Sequence, residues 1–211
     1  MTERIPIELA AWPRREMFLS YLGTDFPYIN MGCRMDVTGL LAHTRREGLS
    51  FYFALIWLST RVADSIPNFR WRFTGEQVWA YAANTPVLTH LPRGTEQFVM
   101  VEGPTGLDMA AFCREVRRRC DKAVPGGRLD ATGRQDIISY SCIPWVDYTH
   151  FIRTIKEIGV DCNPKLSWGR YVTENGRTTL NYSVQVHHGL MDGYHVGLFF
   201  RRLQEELDKL G

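Results

Sequence analysis

The run His187-His188-Gly189-Leu190-Met191-Asp192-Gly193 holds the residues best suited to chemistry in this chain. Imidazole has a resting pKa close to physiological pH, so it can take a proton and return it within one turnover. An aspartate four residues after His188, followed by glycine, suggests a tight turn that fixes the ring. A histidine held in this way can serve as a general base. His187 should point to the opposite side if the preceding strand continues, and is read as structural. His188, Asp192 and His195 are all of metal-ligating type, but their i, i+4, i+7 spacing needs a helix. The strand-to-turn context and the two glycines argue against one, so no metal is expected.

The flanking elements must hold this histidine. Thr178–Val186 alternates: Leu180, Tyr182, Val184 and Val186 share one face, and Thr179, Asn181, Ser183 and Gln185 the other. It reads as the second arm of a hairpin with Ser167–Val172, around the turn dipeptide Asn175-Gly176. From Tyr194 the period becomes helical, through Val196, Phe199, Phe200, Leu203, Leu207 and Leu210. The candidate base therefore sits between a strand and a helix.

Upstream, Asp36 is placed to cap a helix carrying Val37, Leu40, Leu41 and Thr44 inward and ending near Gly48. Ser50 opens a second, apolar on nearly every side over Phe51 to Leu58 and so buried. Short strands are predicted at Phe69–Phe73, Val78–Ala82 and Gln97–Val101, punctuated by Gly75 and by Asn84-Thr85-Pro86. Asp108 starts a helix through about Lys122, stopped by Pro125-Gly126-Gly127. Asp136 to Cys142 reads as a strand. This mixed order gives an α/β or α+β class.

With 211 residues, the chain suits one domain, 1–211, with a sizeable core. Apolar residues make up 45% and charged residues 23%, which is ordinary for a globular protein. A formal net charge of +2 is too small to argue for nucleic acid. The triplet Arg117-Arg118-Arg119 reads as a solvated helix face. No apolar run approaches the roughly 20 residues needed to cross a bilayer, and no apolar core follows Met1-Thr2-Glu3-Arg4 as a signal peptide would require. Five cysteines without paired C-x-x-C spacing fit reduced thiols, hence a cytoplasmic location.

The H-x-x-x-D-G pattern resembles the signature of the chloramphenicol acetyltransferase family, shared with dihydrolipoyl acyltransferases and peptide-synthetase condensation domains. The wider run Gln185-Val186-His187-His188 … Asp192-Gly193-Tyr194-His195-Val196-Gly197 resembles chloramphenicol acetyltransferases in particular. Three segments match in the same order: Trp12-Pro13-Arg14-Arg15-Glu16-Met17-Phe18 (W-x-R-x-E-x-F), Asn68-Phe69-Arg70 (P-x-F-R) and Ser141-Cys142-Ile143-Pro144-Trp145-Val146 (S-x-x-P-W-V).

The resemblance implies a mixed β-sheet with helices packed against it. It also implies a homotrimer with three active sites at its subunit interfaces, and acetyl transfer from acetyl-CoA to a small-molecule hydroxyl acceptor such as chloramphenicol. His188 would be the base, its ring held by its own backbone carbonyl. Ser141 would stabilise the oxyanion. Ser167 stands for a threonine that contacts the intermediate through water. Asp192 would pair bidentately with Arg14 as architectural support. Tyr21 would pack beside His188, and Phe151 would line the acceptor pocket. Arg170, in place of a lysine, could meet a coenzyme A phosphate.

Met191 replaces the usual cysteine. Asp25 and Arg153 fall where apolar pocket residues are expected, so each should face solvent, pair with the other across a subunit interface, or bind something polar. The alternatives are the same chemistry on a more polar or carrier-bound acceptor, or a trimeric binding protein without catalysis.

Overall fold

The computed structural model describes residues 3–124, 134–155, 157 and 159–211. It is an α/β fold built on a mixed sheet. The strands and helices in chain order are β1 (Arg4–Ile7), α1 (Arg15–Tyr21), β2 (Tyr28–Asp36), α2 (Thr38–Arg46), α3 (Phe51–Asp64), β3 (Trp71–Thr74), β4 (Gln77–Tyr81), β5 (Thr85–His90), β6 (Val99–Glu102), α4 (Met109–Lys122), β7 (Ile137–Ile143), β8 (Lys165–Gly169), β9 (Val172–Glu174), β10 (Arg177–His187) and α5 (Gly193–Asp208). The large sheet runs β2-β10-β8-β7-β5-β6, with β9 also pairing β10; a small sheet runs β1-β4-β3. Strand β7 is parallel to β5 and β8, and the other pairs are antiparallel.

The alternation of β10 decides the layers. Leu180, Tyr182, Val184 and Val186 face a core shared with Leu40, Leu55, Val116, Phe199 and Leu203 of the four longer helices. By the same period of two, the register puts Ser183 and Gln185 on the other face with Ser167, Lys165, Ser139 and Ser141. This polar face is covered by the stretch after β7: Asn30 donates to Phe151 O at 3.0 Å, and Asn181 to Tyr148 O at 2.7 Å.

The starts of α3 and α4 follow the side-chain caps read in the sequence, with Asp108 Oδ1 accepting from Ala111 N at 2.8 Å. At α2 the N-cap is Val37, and Asp36, one residue earlier at the end of β2, accepts from Thr38 N at 2.9 Å. Ser50 Oγ accepts from Phe53 N at the start of α3. Asn175 and Gly176 both have positive φ, 51° and 78°, as the tight hairpin turn requires. Between the pairs Val172↔Thr179 and Trp168↔Tyr182 the first arm holds one extra residue, a bulge that separates β8 from β9.

The structure corrects several expectations. Phe69 and Arg70 belong to a 3₁₀ turn, Pro67–Arg70, not to a strand. Pro67 presets the turn's φ, and Arg70 Nη1 donates to Tyr81 O at 3.1 Å. Thr85-Pro86 opens β5 rather than breaking the chain. Pro86 sits at the end of the β5–β6 ladder, where its carbonyl accepts from Gly103 N at 2.8 Å, so its missing N–H falls outside the paired run Val87–His90. Strands β1 and β2 were not expected; β2 is an edge strand with Met31 to Arg34 exposed, so its pattern lacks clean alternation. Helix α4 ends at Lys122, and the stop assigned to Pro125-Gly126-Gly127 lies outside the described residues. In the arginine triplet, Arg118 and Arg119 pair with Glu115 of the same helix. No helix among the described residues is long and apolar enough to cross a membrane.

Gly169 ends β8 where the stretch after β7 crosses it. A Cβ there would lie 2.7 Å from Val146 O and 3.3 Å from Tyr148 N, both backbone atoms. Gly169→Ala should therefore lower stability by about 1–3 kcal/mol, seen as a lower urea midpoint with an unchanged slope.

Candidate active site

His188 lies one residue beyond β10, and its N–H donates to Pro27 O at 2.7 Å. Its half-buried ring stacks on Tyr21 of α1, with centroids 4.4 Å apart and planes 24° apart. Nδ1 stands 3.2 Å from Met191 O. A carbonyl can only accept, so in the neutral ring this bond places the proton on Nδ1 and the lone pair on Nε2. The histidine's own carbonyl accepts from Arg14 Nη2 at 2.8 Å. The turn from 187 to 191 also brings the Met191 carbonyl to the ring.

Arg14 stands at the N-terminus of α1 and reaches the same turn with three donors. Nη2 binds His188 O, Nε binds Gly189 O at 3.0 Å, and Nη1 binds Asp192 Oδ2 at 2.8 Å. The Arg14–Asp192 pair is thus present, but through one N–H rather than two. Asp192 also caps α5, accepting from Tyr194 N at 3.1 Å. Partial burial works to raise its pKa, but the Arg14 hydrogen bond and the nearby charges of His195 and Arg14 bring it below the usual carboxylate value. Buried Asn68, in the matched P-x-F-R segment but given no role from sequence, donates to Leu190 O at 2.9 Å.

His187 is buried, as expected for a structural residue. Its Nδ1 accepts from Gly189 N at 3.1 Å, and its ring meets Phe73 and Tyr28 edge-on. Burial lowers its pKa to about 4, so it stays neutral near pH 7.

The other candidate residues lie elsewhere. Ser141 and Phe151 line a cavity of about 970 Å³ on the polar face, together with Tyr52, Phe98, Arg153 and Lys165; His188, Tyr21 and Arg14 are not among its walls. Trp145, Phe98 and Ile152, all more than half exposed, form an apolar rim. The register aligns Ser141 with Ser167 and Ser167 with Ser183, two strands across from β10 and five residues short of His188. At about 3.3 Å per residue and 4.8 Å per strand, Ser141 and His188 stand roughly 20 Å apart within one chain, too far to meet at one reacting carbonyl.

Ser167 is buried, and its Oγ lies 3.4 Å from Arg153 Nη1, so its hydroxyl is engaged by a side chain. Arg170 and Asp25 are exposed. Sequence reading missed Ser139 and the Lys165–Asp161 ion pair, 2.6 Å long, both lining the cavity. The two-residue step from Ser141 back to Ser139 along one strand face was the available signal. Among the described residues, no group of three or more His, Cys, Asp and Glu side chains could share a metal ion.

The family's sequence model, described as chloramphenicol acetyltransferase, matches residues 3–204. The chain belongs to the chloramphenicol acetyltransferase family. The chloramphenicol acetyltransferase of Staphylococcus aureus is 29% identical over 206 residues, covering 96% of this chain and 95% of that protein. That of Clostridium perfringens is 28% identical over 205 residues, covering 94% and 92%. A solved chloramphenicol acetyltransferase structure superposes with a TM-score of 0.87 at 22% identity, covering 97% of this chain and all of that one. A probable dihydrolipoamide acetyltransferase from Listeria monocytogenes shares the fold at a TM-score of 0.68 and 15% identity, covering 98% of this chain and 94% of that one. The protein is thus an acyltransferase, with the α/β fold of this family.

The shifted His187 pKa sets a pH dependence. A histidine whose folded pKa is depressed, here from 6.5 to about 4, contributes stability above the unfolded value that is lost as pH falls through that window. His187→Gln, with an amide oxygen able to accept from Gly189 N, removes this titration. The loss of stability between pH 7 and pH 4 should be smaller in the variant than in the wild type by on the order of 3 kcal/mol. Parallel denaturation curves at the two pH values check it.

Proposed function

We propose that this enzyme transfers an acetyl group from acetyl-CoA to a hydroxyl of a small acceptor, with His188 as general base and Ser141 as oxyanion donor. The observation that carries the reading is the fixed imidazole: Nδ1–H donates to Met191 O, Tyr21 stacks on the ring, and Nε2 keeps its lone pair. Nε2 takes the acceptor's proton as its oxygen attacks the thioester carbonyl. The carbonyl oxygen becomes an oxyanion and accepts a hydrogen bond from Ser141 Oγ. Collapse of the intermediate expels the coenzyme A thiolate, which His188 reprotonates.

The separation of the two side chains supports a site shared between copies, with His188 of one chain facing Ser141 of the next. A homotrimer closes such head-to-tail contacts into three equivalent sites. The exposed edge of β2 and the apolar rim at Trp145 and Phe98 are surfaces such an assembly would cover. Tyr21 supports the base, Phe151 packs on the acceptor, and exposed Arg170 is available to a coenzyme A phosphate. Ser167 acts through Arg153 rather than on the intermediate directly. Chloramphenicol, for which the relatives are named, is the first acceptor to assay. The guanidinium of Arg153 in the cavity wall favours a second reading, in which the same chemistry serves a more polar acceptor.

Thiol release from acetyl-CoA, followed over a panel of alcohols including chloramphenicol, tests the activity; silence across the panel would count against it. His188→Ala should lower turnover about 10²- to 10⁴-fold, and Ser141→Ala about 10²- to 10³-fold, with the assembly intact.

Co-expression of these two inactive chains tests the shared site. A working site then needs its histidine from one variant and its serine from the other. Random mixing restores roughly a quarter of wild-type activity if the site is shared, and none if each chain serves itself.

A further inference from the structure

The acceptor cavity holds a positive charge, Arg153, that forms no ion pair with any described residue. Arg153 Nη1 donates to Ser139 O at 3.2 Å and Ser167 Oγ at 3.4 Å, and Nη2 donates to Ser139 Oγ at 2.9 Å. All three acceptors are neutral, and among the described residues no carboxylate forms an ion pair with this guanidinium. Asp161, whose field reaches Arg153, is bound by Lys165 Nζ at 2.6 Å. The Nε–H and one N–H of Nη2, on the edge where a guanidinium binds an oxyanion two-pronged, have no protein acceptor among the described residues.

The side chain is also held in place. The Arg153 N–H donates to Gln185 Oε1 at 2.8 Å, and the Phe151 carbonyl accepts from Asn30 Nδ2 at 3.0 Å, so the strip carrying Phe151 and Arg153 is pinned to the sheet. Half-buried charge without a counter-ion is unfavourable unless a ligand supplies one. A fixed fork aimed into a mainly apolar cavity is how proteins recognise carboxylates and phosphates.

We propose that the acceptor carries an anionic oxygen group, a carboxylate or a phosphate, which Arg153 clamps while the acceptor's hydroxyl lies beside Ser141. This rests on the acetyltransferase reading above. Ser139 and Ser141 are two residues apart on one strand face, which sets the anion and the hydroxyl roughly 7 Å apart. Arg153 is then the residue that sets acceptor class, with Ser139 and Ser167 positioning it.

The test uses hydroxy acids with that spacing, the matching phosphate monoesters, and the neutral methyl esters of the acids. Calorimetry on the intact wild-type assembly should show the anions binding roughly 10- to 100-fold tighter than the esters. The acid and phosphate arms show which anion is preferred. In Arg153→Leu the ratio should fall to about one. Arg153→Lys, which keeps the charge but not the fork, should fall between.

Equal binding of acids and esters by the wild type, no binding of any anion, or a preference that survives Arg153→Leu would each overturn the proposal. If Asp25 of a second copy supplies the counter-charge, the wild type will show no preference and Asp25→Asn will create one, which also overturns it. Thiol release measured on the same compounds separates the two readings. Anion-selective binding without any turnover removes the acetyltransferase reading and leaves the Arg153 clamp standing.

Discussion

The geometry of the proposed base depends on one guanidinium. Arg14 comes from the start of the chain and holds three acceptors in the turn from His188 to Asp192, more than 170 residues away. Two are carbonyls that a turn leaves without partners, and the third is a carboxylate that also caps α5. Such charge-assisted bonds are stronger than neutral ones and fix direction. The turn is thereby tied to α1, which carries Tyr21 onto the imidazole. Asn68 secures the neighbouring Leu190 carbonyl from the opposite side, and His187 secures the Gly189 N–H. The turn has little freedom left, so the ring orientation follows from the fold.

The large sheet imposes the second constraint. Its helix-covered face is apolar, and its other face carries serines, Lys165 and Gln185 in register across β7, β8 and β10. Burying such a face requires that each polar group find a partner. Arg153, Asn30 and Asn181 supply several of those partners to the sheet and to the strip after β7. The same rigid ladder that orders this face holds Ser141 away from His188. No side-chain motion closes a gap of roughly 20 Å along a paired sheet, so the two groups meet only if a second copy brings one of them. The strand spacing thus bears on assembly as directly as on fold.

Much of this was legible in the sequence, for physical reasons that differ by element. The clean alternation of β10, the Asn175-Gly176 turn and the capping residues Ser50 and Asp108 report local constraints, and each sits where expected. Strand β2 was hidden because an edge strand has no fully buried face to impose a pattern. Strand β5 was hidden because Pro86 reads as a breaker unless the pairing of its neighbours is known. The Arg14–Asp192 contact was available only through the family resemblance, since no local rule links residues so far apart. The Met191 carbonyl contact at Nδ1 depends on the path of a four-residue turn that side-chain types do not report. Arg153 stood out as a departure, but its three neutral partners are a tertiary fact.

The placement of the two halves has a consequence for how such an enzyme can change substrate. The imidazole and its supports belong to α1, the end of β10 and the start of α5. The cavity wall belongs mainly to β7, the strip after it and the loop before β6, with Tyr52 of α3, Lys165 of β8 and residues of β5 and β6. Residues in contact couple energetically, whereas well-separated ones act nearly independently. An arginine at position 153 meets Ser139, Ser167 and Gln185, and none of these touches the turn that Arg14 holds. On the proposed reading, a charged acceptor wall can therefore replace an apolar one without disturbing the geometry of the proposed base. Retention of Arg14, His188 and Asp192 beside an altered pocket is the pattern this separation permits.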